Sequence, residues 1–197
     1  MLKIWSKLFL AECEVIKFSK NLNIYPIFKN GRSSLMIFAR RNNLSILKNK
    51  EISNLKEVTV FIREPIERFI SGIHSFFYLH DLKLNNENLK KINNYKIINQ
   101  HFMPQAFWLF HLFKYYKQDV ILKPVEEVFD LIPIREGPWH LNPKPWTPLT
   151  ENEKNKIKKI DIEKFTDIDY KVVKKYLNKK TNLSVIVKEI KNVLSSS

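Results

Sequence analysis

The sequence predicts an α/β fold with a short central parallel sheet flanked by helices, and three observations carry that prediction. Three brief apolar runs, rich in β-branched and aromatic residues, are bounded by polar ones as buried strands are. Between and after them lie longer segments with apolar residues at helical spacing. Strands alternating with helices imply strand–helix–strand units, whose right-handed crossovers make successive strands parallel. With 197 residues, 44% of them hydrophobic, and 14 Phe, 7 Tyr and 4 Trp, the chain can bury a sizeable core and is read as one domain over residues 1–197.

The predicted strands are 24–28, 58–62 and 119–122. The second, Val58-Thr59-Val60-Phe61-Ile62, is apolar throughout except at Thr59, as a strand covered on both faces would be. Pro26 removes a ladder donor from the first, which puts that strand at an edge or makes it irregular there.

Ser33 or Ser34 can cap a helix running through Leu35, Met36, Phe38 and Ala39. A longer helix fits 65–79, with Pro65 suited to the first turn and Ile66, Phe69, Ile70, Ile73, Phe76 and Phe77 forming one apolar stripe. Residues 104–116 repeat the pattern with Phe107, Trp108, Phe110, Leu112 and Phe113. Shorter helices are predicted at 151–159, 170–178 and 184–194. The Asn- and Lys-rich stretch 85–99 reads as a loop or insertion, and 137–148, with four Pro and two Trp, as an extended segment.

Composition narrows the function. A single Cys excludes a disulfide framework and a Cys-based zinc site, so a reducing compartment is expected. There is no spanning apolar run, and Lys7, Glu12 and Glu14 interrupt the N-terminal stretch where a secretion signal would lie, so a soluble, cytoplasmic protein is expected. The net charge is +14, but 28 of the 34 cations are Lys in a chain also rich in Asn and Ile, a bias that AT-rich coding produces without function. Arg is distributed differently: Arg32, Arg40, Arg41, Arg63 and Arg68 crowd one segment, leaving only Arg135 elsewhere. The planar guanidinium fork suits phosphate, so the cluster points to an anionic ligand near residues 30–70.

Two motifs fall in that segment. The first is a strand, a tight loop Lys29-Asn30-Gly31-Arg32-Ser33-Ser34, and a helix. A loop that leaves a strand and opens a helix aims backbone N–H groups and the positive helix end at one point, a geometry that binds phosphate or sulfate. Gly31 lets the backbone turn, Lys29 adds a cation, and Ser33 and Ser34 add hydroxyls; an ordinary strand–helix turn with a Ser cap is the alternative. The first Gly and the Gly-Lys-Ser/Thr ending of a Walker loop are missing. The second motif is Arg63-Glu64-Pro65-Ile66-Glu67-Arg68-Phe69-Ile70-Ser71-Gly72. Arg63 stands at the carboxyl end of a strand, where open α/β sheets bind ligands, and Ser71 follows about two helical turns later. The alternative is that Arg63 pairs with Glu64 or Glu67 and Ser71 only packs.

Together these motifs resemble the two nucleotide-binding motifs of PAPS-dependent sulfotransferases, particularly carbohydrate sulfotransferases of a bacterial or viral type. Residues 26–34 are similar to the motif that grips the 5′-phosphosulfate, and 63–71 to the motif whose first Arg and Ser bind the 3′-phosphate. His101-Phe102-Met103-Pro104-Gln105 resembles a His-x-x-Pro-Gln element of several such enzymes, 119–128 their later strand with its acidic segment, and 165–176 their C-terminal Asp-Tyr helix. The likeness touches most of the chain, and the first two motifs are its sharp part. Arg32, where many relatives carry a small or neutral residue, and Pro124-Val125, within the later strand ending, depart from the pattern.

The resemblance implies a three-layer, P-loop-like fold and transfer of a sulfuryl group from PAPS to an acceptor hydroxyl, with a carbohydrate as acceptor and no metal. Lys29 would stabilise charge on the leaving bridging oxygen, with Asn30, Gly31, Arg32, Ser33 and Ser34 around the 5′-phosphosulfate and Arg63 and Ser71 on the 3′-phosphate. For the base that the acceptor needs, His101 is the first candidate, His74 the second and Glu67 the third; a structural role for His101, capping the helix that begins at Pro104, is the alternative. His140 and Lys144, with Asn142, are further candidates for contact with the nucleotide, and Trp139 or Trp146 for stacking; a Pro-rich surface loop anchored to the core by Trp is the alternative, and the favoured one. Two other classes remain open: a nucleotide kinase, which would share the architecture, and a basic nucleic-acid-binding module, against which the acids at 151, 153, 161, 163, 167 and 169 count.

Overall fold

The computed structural model describes residues 5, 8, 12–132 and 148–196. Its sheet is mixed and six-stranded, built from β1 (Glu14–Lys17), β2 (Asn23–Ile24), β3 (Ser45–Lys48), β4 (Glu57–Ile62), β5 (Asp119–Pro124) and β6 (Lys180–Asn182), in the order β3-β1-β2-β4-β5-β6. The central trio β2-β4-β5 is parallel, as the strand–helix alternation predicts. The outer strands β3, β1 and β6 run antiparallel to their neighbours, so the sheet as a whole is mixed and not the parallel sheet expected. These outer strands are short and partly polar, which is why neither periodicity nor apolar runs expose them.

β2 is interior and only two residues long. Its ladder to β4 ends where Tyr25 N–H donates to the Thr59 carbonyl at 2.9 Å, and Pro26, which has no N–H, follows. The chain then runs free of the sheet into the loop at 29–31, so Pro26 makes the strand irregular without placing it at an edge.

Helices cover both faces. On one side α1 (Arg32–Arg41) and the single turn α5 (Val128–Leu131) bury Leu35, Met36, Ala39 and Val128 against Ile16, Ile24 and Phe61. On the other, α2 (Pro65–Leu79), α4 (Gln105–Phe113), α7 (Glu163–Lys171) and α8 (Leu183–Ser195) pack on Val58, Val60 and Ile62. β4 alternates between these two cores, which is why its sequence is apolar on both faces. Trp5 lies at the centre of the larger core, edge-on to Phe102 and Phe165.

Three expectations change. Residues 85–99 are not a loop throughout, because α3 (Asn86–Asn93) forms there, capped by the Asn85 side chain and buried through Leu89 and Ile92. α6 (Glu151–Ile157) stands near its predicted place, but the next helix is α7 at 163–171, earlier than the predicted 170–178, where only a short 3-10 turn at Val173–Tyr176 follows. Finally, α1 begins at Arg32, so Ser33 and Ser34 lie inside its first turn and neither is the cap; Gly31 holds that position. Among the described residues, no helix is long and apolar enough to cross a membrane.

Candidate functional site

The site is built at the carboxyl ends of β2 and β4, where two loops open two helices. After β2 the chain turns through Lys29 and Gly31, both left-handed with φ of 67° and 79°. Gly31 suits that conformation, and a Cβ there would approach Val128 Cγ1 to 3.3 Å. Lys29 takes it against the preference of an L residue, the kind of local strain that ligand sites hold. Asn30 between them is buried, its Nδ2 donating to the Phe61 carbonyl at 2.7 Å and to Gln105 Oε1 at 2.6 Å. It therefore anchors the loop to the end of β4.

Lys29 Nζ donates to Ser75 Oγ on α2 at 2.7 Å. Burial, then the neighbouring Arg63 and Arg68, push its ammonium down to about 8. Arg68 is fully buried and structural in part: Nε donates to the Phe28 carbonyl at 3.1 Å and Nη1 to the Met103 carbonyl at 2.6 Å. Its Nη2 has no hydrogen-bond partner among the described residues, and neither does Asn30 Oδ1. Arg63 leaves β4 with a half-exposed side chain whose Nη2 stands 3.6 Å from Glu67 Oε2, a loose surface pair of little strength. Three cations thus converge here, with Glu67 and the buried Asp169 as nearby carboxylates.

α2 presents its chemistry by helical spacing. Arg68, Gly72 and Ser75 share the face toward the loop and residues 101–103, while Ser71 and His74 lie beside that face, half-buried. His74 is pushed below its usual value by burial and by Lys29, and drawn back up by Glu153 of α6. His101 packs edge-on to Phe28 with ring centroids 5.2 Å apart. Its Nδ1 lies 2.6 Å from Asn99 Oδ1, which also accepts the His101 main-chain N–H at 3.0 Å. An amide oxygen only accepts, so Nδ1 carries the hydrogen and Nε2 keeps its lone pair. Burial, followed by Lys29, Arg68 and His80, pushes the ring down to about 4.

Behind these groups sits a brace. Gln105 Nε2 donates to the Arg63 carbonyl at 2.9 Å while its Oε1 accepts the Arg63 N–H at 2.9 Å as well as Asn30 Nδ2. Asp169 of α7 fixes Gln105 in turn: its Oδ2 accepts the Gln105 N–H and its Oδ1 the Ala106 N–H, each at 2.8 Å. These are the first N–H groups of α4, which its N-cap Pro104 does not satisfy with a side chain, so a carboxylate from another helix does.

Lys29, Arg63, Ser71, His74 and His101 therefore lie on the elements that meet here, and Gly31 shapes the loop. Asn30 is present but turned inward. Ser33 is exposed and Ser34 half-buried in the first turn of α1. Arg32 faces away, its Nη2 2.5 Å from Glu14 Oε2 and its guanidinium 4.9 Å from the centre of the Phe28 ring. His140 and Lys144, with Trp139, Asn142 and Trp146, lie outside the described residues. Ser75 and Asn99 were not singled out from the sequence, and Arg68, Gln105 and Asp169 entered only as members of the arginine cluster or of longer segments, with no role of their own. Apart from Asn99, which meets His101 two residues on, their polar partners are far along the chain, 35 to 64 residues away for the Arg68 and Asp169 contacts, and no local pattern announces such pairings. Two surface grooves of about 300 and 330 Å³ lie elsewhere, the first lined by Lys90, Lys156 and Lys159, the second by residues of α7 and α8. No group of three His, Cys, Asp or Glu arranged to hold a metal occurs among the described residues.

Fold and site together define an α/β protein with a cation-rich cluster at the ends of two adjacent parallel strands. Compared with known protein families, curated proteins and solved structures, the chain matches none.

Proposed function

We propose that the chain is a sulfotransferase that moves a sulfuryl group from PAPS to an acceptor hydroxyl, with a carbohydrate as the acceptor class, on a P-loop-like fold. The observation that carries this reading is the convergence of Lys29, Arg63 and Arg68 at the ends of β2 and β4, close enough that the two arginines add to burial in lowering the Lys29 ammonium. A cluster that disfavours its own charge gains most from a multiply charged anion, because each ligand oxygen relieves cation–cation repulsion as well as pairing. The unpartnered Arg68 Nη2 fits the same need for anionic oxygen.

PAPS supplies the activated sulfuryl group. Lys29 and the N–H groups opening α1 hold the 5′ end and stabilise negative charge on its bridging oxygen. Arg63 and Ser71 hold the 3′-phosphate and so set the register of the nucleotide. His101 Nε2, kept as an acceptor by Asn99, takes the proton of the acceptor hydroxyl.

Binding of adenosine 3′,5′-bisphosphate, ATP and duplex DNA, compared at moderate salt, tests the proposal. The bisphosphate should bind best, and Arg63→Ala or Ser71→Ala should weaken it by about 10–100-fold, the worth of a charge-assisted hydrogen bond. If ATP binds equally well, or the substitutions change nothing, the reading fails.

A further inference from the structure

The loop after β2 and the strand end at Arg63 come from different elements, yet one side chain holds both. Gln105 bonds Asn30 of the loop at 2.6 Å and grips both main-chain groups of Arg63 at 2.9 Å. It is fully buried, and Asp169 clamps its own main-chain N–H at 2.8 Å. Four polar contacts on one amide residue leave it little freedom, so the distance from Lys29 to Arg63 is fixed before any ligand arrives.

We propose that Gln105, held by Asp169, is a specificity-determining brace that makes the site read two anionic groups at a set separation instead of any single anion. The identity of the ligand rests on the sulfotransferase reading; the brace itself rests on the hydrogen bonds. Without the brace each anion subsite keeps its own groups, Lys29 with the α1 N–H groups on one side and the Arg63 guanidinium on the other. What disappears is their shared register. A ligand that bridges both subsites must then supply the ordering itself, whereas a ligand that touches one subsite loses little.

The test compares adenosine 3′,5′-bisphosphate with adenosine 5′-monophosphate and adenosine 3′-monophosphate on the wild-type chain and on Gln105→Leu. The variant keeps the apolar bulk and removes the side-chain bonds. Calorimetry should show bisphosphate affinity falling about 10–100-fold with both monophosphates little changed, as loss of buried hydrogen bonds that act only through register requires. Equal losses on all three ligands mean a collapsed site, and an unchanged bisphosphate affinity means no brace; either overturns the proposal. Asp169→Asn, which loosens Gln105 from behind, should give the same pattern more weakly, and it takes the place of Gln105→Leu if that variant does not fold. A wild-type chain that does not prefer the bisphosphate overturns the nucleotide reading instead. The brace is then judged by hydrogen exchange at the Arg63 amide: faster exchange in the variant upholds it, and unchanged exchange overturns it.

Discussion

Gly72 and His101 meet backbone to backbone: a Cβ on Gly72 would stand 2.2 Å from the His101 carbonyl oxygen and 2.7 Å from its carbon. The contact is main chain on both sides, so no flexible side chain can yield. Gly72→Ala must push α2 away from residues 101–102, at a cost of about 1–3 kcal/mol or more as overpacking a core does. For a chain of this length that lowers Tm by roughly 2–4 °C per kcal/mol, measurable by calorimetry. Because Ser75 and Arg68 ride on the same helix face, nucleotide affinity should fall in parallel. Unchanged stability would show that the two backbones are not in contact.

The Lys29 ammonium, pushed down to about 8, gives the site a pH dependence of known sign. A bound dianion favours the charged amine, so Lys29 titrates higher in the complex than in the free chain. Affinity is therefore fully present below about 8 and declines as pH rises through it, by up to tenfold per pH unit until the value in the complex is passed. The second ionisation of a phosphate lies near pH 6, about two units lower, so ligand charge does not confuse the measurement. Lys29→Arg should flatten the profile, since guanidinium stays charged throughout. A wild-type affinity constant from pH 7 to 9 would remove Lys29 from the site.

His101 is neutral near pH 7 because its ring sits down at about 4, which leaves Nε2 free to accept a proton but makes it a weak base in the free chain. Burial holds it there first, then Lys29, Arg68 and His80. An anion on Lys29 and Arg68 cancels part of that field, so the ring should titrate higher once the bisphosphate binds, as seen by NMR. His101→Ala should keep nucleotide affinity and lose about 10²–10⁴-fold in turnover, the usual worth of a general base. Unchanged turnover would end that role and leave His101 as packing against Phe28.

Much of this arrangement was legible in the sequence where the pattern is local. The stripe from Ile66 to Phe77 marks α2 to its ends, and the run around Val60 marks the buried β4. Arg63 and Lys29 were identifiable because each directly follows an apolar run, and strand ends are where such sheets bind ligands. What was hidden depends on partners distant in sequence. Asn30 looked like a ligand group in a phosphate loop, but its side-chain nitrogen is turned inward to Phe61 and Gln105. Arg32 looked the same, and Glu14 of β1, a strand with no visible signal, draws it aside. Ser75 takes the contact with Lys29 that its position one turn beyond Ser71 did not advertise.

Asp169 carries the last prediction. It is fully buried, and desolvation raises its carboxyl from 3.8 to about 6, against the pull of the Gln105 and Ala106 N–H groups and of Arg68. A raised acid means that the folded chain keeps a proton which the unfolded chain has already released. Between about 4 and about 6, then, rising pH withdraws stability through this residue, at up to about 1.4 kcal/mol per pH unit. The contribution is fully favourable below the unfolded value and has gone above about 6. Glu87, Glu151, Glu153 and Glu189, all lowered by their partners, act in the opposite sense and would mask the effect in the wild-type chain alone. They are common to wild type and Asp169→Asn, however, so the difference between the two isolates it. Urea unfolding from pH 4 to 7 should show the wild type losing ground to the variant across that window; a difference that stays constant with pH would mean that Asp169 does not titrate there.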